Sequence, residues 1–110
     1  MSPAPADRLQ GTLDLLVLRT LVREPLHGWA ISRRIRERSD DMLQVNQGSL
    51  YPALHRLEDQ GKISAEWMVV DSGRRGKVYR LTAAGRRQLE LEQDGWDAFV
   101  FAVSRVLQTA

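Results

Sequence analysis

One stretch limits the possible folds more than any other: Asn46-Gln-Gly-Ser-Leu-Tyr-Pro-Ala-Leu-His-Arg-Leu-Glu-Asp-Gln-Gly61. Leu50, Leu54 and Leu57 recur at i, i+4 and i+7, which commits one face of a helix to a core. The opposite face carries Ser49, Pro52, His55, Arg56 and Asp59, with Gln47 and Tyr51 near its start. That mixture of hydroxyl, aromatic, amide and cationic groups suits phosphates and base edges, and a helix fits a major groove. An ordinary amphipathic helix with a solvated polar face has the same pattern, so the neighbouring segments must decide. Asn46 and Ser49 both offer an N-cap; Ser49 is preferred because Pro52 then falls in the first turn, where its missing N–H costs nothing. Gly61 is expected to end the helix.

The next segment carries a hairpin signal. Lys62-Ile-Ser-Ala-Glu-Trp-Met-Val-Val70 alternates and is rich in β-formers, Asp71-Ser-Gly-Arg-Arg-Gly76 interrupts it, and Lys77-Val-Tyr-Arg-Leu81 resumes. Arg74 and Arg75 lie between glycines with Lys77 beside them, so the tip offers cations on a backbone that can approach a groove. A basic, glycine-rich hairpin directly after a candidate reading helix is the arrangement called a wing. Upstream, His27 to Arg38 reads as a short helix entered through Gly28, buried through Ala30, Ile31 and Ile35, with Arg33, Arg34 and Arg36 outward. The first helix of a helix-turn-helix crosses the sugar–phosphate backbone, which makes Arg33 a candidate phosphate contact. A solvated basic face is the stronger reading for any single arginine.

Charge supports a polyanion partner by its placement rather than its total. The net charge is only +2, but residues 28–87 hold twelve basic against seven acidic groups and residues 88–110 hold one against four. Positive charge therefore gathers around the candidate reading helix. At 110 residues and 43% hydrophobic, the chain is expected to be one soluble domain with a modest core. The absence of cysteine excludes disulfides and thiol chemistry. No run reaches the length of a membrane span and the start lacks a signal-peptide pattern, so a cytoplasmic location with no membrane partner is expected. His27 and His55 lie on separate segments without carboxylates at ligand spacing, and Glu58 and Asp59 diverge around a helix. No metal, no cofactor and no enzyme activity are expected.

Two further helices frame this unit. Leu13 to Val22, with Thr12 as its expected cap, has one apolar face of Leu13, Leu16, Val17 and Leu21 and a neighbouring one of Leu15, Leu18 and Val22. The last helix opens at Thr82 and runs nearly to the end, with Leu89, Trp96, Phe99, Val100, Val103, Val106 and Leu107 on one stripe. A single small domain has little to cover its distal half. Leu15, Leu18 and Val22 are therefore expected to meet Trp96, Phe99, Val100, Val103 and Leu107 in a homodimer interface. Trp96 has two open readings, an interface packing residue or the wall of a site for a small aromatic or cationic effector.

Gly11-Thr12-Leu13, His27-Gly28, Gly48-Ser-Leu-Tyr-Pro-Ala-Leu-His-Arg-Leu-Glu58, Gly61 and Tyr79-Arg-Leu-Thr-Ala-Ala-Gly85 together resemble the signature of the PadR family of transcriptional regulators. The resemblance covers nearly the whole chain and is closest to compact members with a single C-terminal helix, such as those beside permease genes in acidobacterial-type genomes. It implies a mainly α fold with a small β-hairpin (α+β): a winged helix-turn-helix with a long C-terminal dimerisation helix. It also implies a dimer on double-stranded operator DNA, acting as a repressor of an adjacent efflux or stress operon and released by a small molecule. The expected organisation is an arm over residues 1–10, a DNA-binding domain over 11–82 and a dimerisation helix over 83–110. The expected DNA contacts are Arg33, Gln47, Ser49, Tyr51, Pro52, His55, Arg56, Arg74, Arg75 and Lys77. The rival is a winged helix used only for protein–protein contact. Trp29, where tyrosine is common in the family, and Val78, where an aromatic or basic residue is frequent, are departures.

Overall fold

The computed structural model describes residues 5–69 and 73–109, with side chains from residue 12 onward. In chain order the elements are α1 (Pro5–Thr20), β1 (Leu26–His27), α2 (Gly28–Arg38), α3 (Gln47–Asp59), β2 (Ile63–Val69), β3 (Arg75–Leu81) and α4 (Ala83–Gln108). Helix α1 starts well before Thr12 and takes in residues 5–10, which the sequence assigned to an arm. A proline at the first helical position has a preset φ and no N–H to waste, so Pro5 marks a start rather than an arm. Residues 1–4, and Val70, Asp71 and Ser72 of the hairpin, lie outside the described residues.

Helix α3 is capped by Asn46, not by Ser49. The Asn46 side chain accepts a hydrogen bond from the Ser49 backbone N–H at 2.8 Å, which satisfies an orphan donor of the first turn. Pro52 consequently lies inside the helix, where it cannot donate to the Gly48 carbonyl. At the other end Gly61, at φ 72°, donates to the Glu58 carbonyl and Lys62 donates to that of Leu57, each at 2.9 Å. That paired closure needs a left-handed residue, so glycine stops the helix here.

Leu26 and His27 form a short strand rather than the start of α2, and the sheet has three antiparallel strands in the order β1-β3-β2. Leu26 opposes Tyr79 and His27 opposes Val78. The β2–β3 ladder runs from Ile63 opposite Leu81 to Val69 opposite Arg75. Arg75 and Gly76, read from sequence as loop, thus belong to the ladder.

Leu13, Val17, Leu18 and Leu21 of α1 meet Ile31 and Ile35 of α2, Leu50, Leu54 and Leu57 of α3, Ile63, Tyr79 and Leu89 in one core. Burying each large apolar side chain contributes about 1.5–3 kcal/mol, and this cluster fixes how α3 and the hairpin are presented. Burial also raises the Tyr79 hydroxyl above the ordinary tyrosine range. Leu18 is completely buried here, so it packs its own core and is not available to a partner, contrary to the sequence expectation. A helix ringed with leucine gives no sign of which neighbour will take each side.

The hairpin and α4 are joined by a tight splice. Thr82 caps α4 by accepting from the Gly85 backbone N–H at 3.0 Å, donates its hydroxyl to the Gly61 carbonyl at 2.7 Å, and its own N–H reaches the Lys62 carbonyl at 3.2 Å. Beyond Leu89 the helix leaves the core: Leu91, Trp96, Phe99, Phe101, Val106 and Leu107 are all exposed. The segment from Phe99 to Val103, strand-like in composition, is helical throughout.

Candidate nucleic-acid interface

With Leu50, Ala53, Leu54 and Leu57 turned into the core, the 3.6-residue period turns Pro52, His55 and Asp59 outward and leaves Tyr51 and Arg56 on opposite flanks. Gln47, Tyr51, Pro52, His55 and Arg56 are exposed and Ser49 is half-buried. Tyr51 is positioned from α2: a Cβ on Gly28 would come within 2.8 Å of the Tyr51 hydroxyl and 2.9 Å of its ring. Only a residue without a side chain lets the phenol rest there, so Gly28 aims Tyr51 along the edge of the face. Among the described residues the side chains of Gln47, Ser49, Tyr51 and His55 form no hydrogen bond within the chain, leaving donors and acceptors free for another molecule.

Electrostatics sorts the cations more finely than sequence could. Arg56 pairs with Asp14 of α1. Lys77 donates to Glu58 at 2.9 Å and stands 5.6 Å from the Tyr79 ring centroid, and the Glu58 bond holds its ammonium above the ordinary lysine range. Because the folded value is the higher one, this contribution is complete at neutral pH and is lost only as alkalinity passes the lysine range. On α2, Arg33 pairs with Glu37 at 2.9 Å, Arg34 with Glu24 at 3.0 Å and Arg36 with Asp41 at 3.1 Å. Arg33 also lies 5.9 Å from the ring of half-exposed Trp29. Arg74 and Arg75 are exposed and have no carboxylate partner among the described residues. The hairpin tip thus carries uncommitted positive charge, and Arg80 near the far end of β3 is likewise exposed without an ion pair among the described residues. The Lys77–Glu58 bond pins β3 against the flank of α3, so the wing stands beside the reading helix.

A reading helix with a free polar face, a helix packed behind it and a basic-tipped hairpin pinned to its flank make a winged helix-turn-helix. The sequence profile described as the Transcriptional regulator PadR-like family matches residues 17–91, which include all of α2, α3 and the hairpin. The chain belongs to the PadR-like family. It is 32% identical over 84 residues to an uncharacterized protein of Lysinibacillus sphaericus, covering 76% of this chain and 77% of that one. It is 54% identical over 46 residues to a transcriptional regulator of Mycobacterium tuberculosis, covering 42% of each. The crystal structure of a PadR family transcriptional regulator from Eggerthella lenta superposes with a TM-score of 0.82 at 32% identity, covering 96% of this chain and 89% of that one. As a PadR-like protein the chain is a DNA-binding transcriptional regulator and not an enzyme. No helix among the described residues is long and apolar enough to cross a membrane.

The PadR-like fold leaves Gln47, Tyr51, Pro52 and His55 exposed and Ser49 half-buried on α3, and carries Arg74 and Arg75 at the tip of the hairpin that Lys77 ties to Glu58. It engages Arg33, Arg56 and Lys77, expected to be free for phosphates, with carboxylates of the same chain. Sequence reasoning missed Asp14 altogether, although a lone acid inside the apolar run from Leu13 to Val22 was a signal. Of the expected interface residues, Leu15 and Val22 pack at the edge of the core, while Trp96, Phe99, Val100, Val103 and Leu107 stand exposed along α4. Leu91 and Phe101 are exposed apolar residues off that stripe, and the period alone passed over them.

Proposed function

We propose that this PadR-like chain is a cytoplasmic homodimeric repressor whose two copies of α3 enter successive major grooves of an operator. The reading rests chiefly on one observation: free polar side chains on α3 lie beside a wing whose tip carries the unpaired Arg74 and Arg75. In this reading Gln47, Ser49 and His55 are nearest the bases, Tyr51 and Pro52 lie along the strand, and Arg74 and Arg75 grip the flanking groove. Arg56 exchanges Asp14 for a phosphate, since exposed ion pairs are worth only about 0–1 kcal/mol and are readily traded. Arg33 does the same with Glu37. Lys77 stays on Glu58 and sets the angle of the wing.

Replacing both Arg74 and Arg75 by alanine is expected to weaken binding to all sequences alike and to lower the slope of log affinity against log salt by about 2. Fluorescence anisotropy with fragments recovered by the purified protein from genomic DNA measures both quantities. Unchanged affinity and slope would remove the wing from the interface.

Dimerisation is supported by the uncovered apolar stripe of α4, and repression of an adjacent efflux or stress operon, near a permease gene, follows the family resemblance. For the signal we propose a planar aromatic or cationic effector between the two copies of Trp96. Trp96 is 42% exposed, has Phe99 at 6.3 Å between ring centroids, and is followed by Asp97 and preceded by Asp94, acids that favour a cation. Planar cationic dyes are expected to quench the tryptophan fluorescence of the wild type and to bind Trp96→Ala at least about tenfold more weakly. Equal binding to both proteins, or to neither, places the effector elsewhere.

A further inference from the structure

Away from α3 and the wing, three more arginines come together. Arg19 in the last turn of α1, Arg23 just beyond it and Arg38 at the end of α2 line one concavity of about 300 Å³, with Val22 between them. None of the three has a hydrogen-bonding or carboxylate partner among the described residues, whereas Arg33, Arg34, Arg36 and Arg56 each have one.

Basic residues at helix C-termini are favoured by the helix dipole, and that accounts in part for Arg19 and Arg38. It does not account for Arg23, which lies outside any helix, nor for the convergence of all three on one hollow. Nearby carbonyls give them little to do: those of Val17 and Arg19 already accept from Leu21 and Val22, and those of Ile35, Arg36 and Glu37 from Ser39, Asp41 and Asp40. Three like charges facing one space repel one another, and an anion placed among them reverses the sign of that interaction. Guanidinium groups present paired N–H donors that match phosphate oxygens.

We infer that Arg19, Arg23 and Arg38 form a binding site for a small phosphorylated ligand. The space available fits this class of compound. Arg19 and Val22 also line a second hollow of about 420 Å³ between α1 and α4, where Leu89 and Gln93 offer an apolar wall and an amide. That trough has room for the uncharged body of a ligand whose phosphates rest on the arginines. Arg86 adds another cation to that trough, while Glu90 and Asp94 in its lining accept from an amine or a ring N–H. A compound of nucleotide type, anionic at one end and donor-bearing at the other, satisfies both hollows. Its charge is opposite to that of the effector proposed at Trp96, and its site draws no residue from α3 or the hairpin.

The test uses the full chain and sodium pyrophosphate, compared with sodium chloride at equal ionic strength. Pyrophosphate at about ten times its Kd is expected to raise the melting temperature by roughly 5 °C beyond the chloride control. The Arg23→Gln/Arg38→Gln variant is expected to melt like the wild type without ligand, because both side chains are exposed and unpaired, and to bind pyrophosphate at least about tenfold more weakly in calorimetry. Should the double variant fold poorly, Arg23→Gln alone carries the test. Absence of a pyrophosphate-specific shift, or equal binding by wild type and variant, overturns the site. So does a variant that loses affinity and salt slope for genomic DNA fragments while the wild type binds no pyrophosphate, since these arginines would then contact a DNA strand.

Discussion

Gly85→Ala is expected to be among the most damaging single substitutions in this chain, costing roughly 3 kcal/mol or more of folding stability. A Cβ at residue 85 would stand 2.0 Å from the Lys62 carbonyl oxygen and 2.7 Å from Leu81 Cδ1. The first of these is backbone, and it is held there because the same Lys62 carbonyl accepts the Thr82 N–H while Gly61 accepts the Thr82 hydroxyl. Relieving the clash requires either pulling α4 off the hairpin or moving the residue that closes the end of α3, so the damage reaches the reading helix. Gly95 is the internal control. A Cβ there meets nothing within 4 Å, and Gly95→Ala in the middle of α4 is expected to stabilise the chain by up to about 1 kcal/mol through helix propensity. Urea denaturation of the two variants checks both signs. If Gly85→Ala unfolds at the wild-type midpoint, the close approach of α4 to Lys62 is wrong. If Gly95→Ala instead weakens self-association, Gly95 lies at a close contact between copies.

How much of this was legible beforehand depended on whether a feature is local. The period of Leu50, Leu54 and Leu57, the stop at Gly61 and the cap at Thr82 involve neighbours along the chain, and each stands in the structure where the sequence put it. The cap of α3 is local too, but two candidates competed. The argument from Pro52 favoured Ser49, whereas the chain tolerates proline inside the helix and uses the better-placed amide of Asn46. β1 was invisible because two residues carry no alternation, and Leu26 and His27 become a strand only by pairing with Tyr79 and Val78. The ion pairs that engage the cations were hidden for a similar reason. Nothing in the sequence spacing says that Arg56 reaches Asp14, 42 positions away, or that Lys77 reaches Glu58. The face of α3 could be read from its period, but which charges on it are free depends on contacts that exist only in the fold. The same limit applied to α1, where leucines on every side left open that Leu18 belongs to the core.

Val103→Asp and Leu107→Asp are expected to weaken the proposed dimer by several kcal/mol while leaving each folded copy nearly as stable as before. The asymmetry follows from exposure within the single chain. Val103 is 38% and Leu107 78% exposed, and both lie on the part of α4 that has left the core, so a carboxylate there meets water when the chain is alone. In a two-fold pair the same stripe, with Trp96, Phe99 and Val100, becomes the buried centre, and each substitution is repeated by symmetry. A carboxylate enclosed in apolar surroundings without a partner is costly, and the pair must come apart to hydrate it. In the proposed assembly that loss carries through to DNA, because two copies of α3 would span half-sites about one helical turn, roughly 34 Å, apart. A lone copy retains only one set of contacts. Sedimentation equilibrium together with anisotropy on a genomic fragment reads both consequences, and thermal melting at low concentration confirms that the single copies stay folded. A wild type that is monomeric at micromolar concentration, or variants that dimerise and bind DNA as the wild type does, would leave the exposed stripe of α4 without the partner assigned to it.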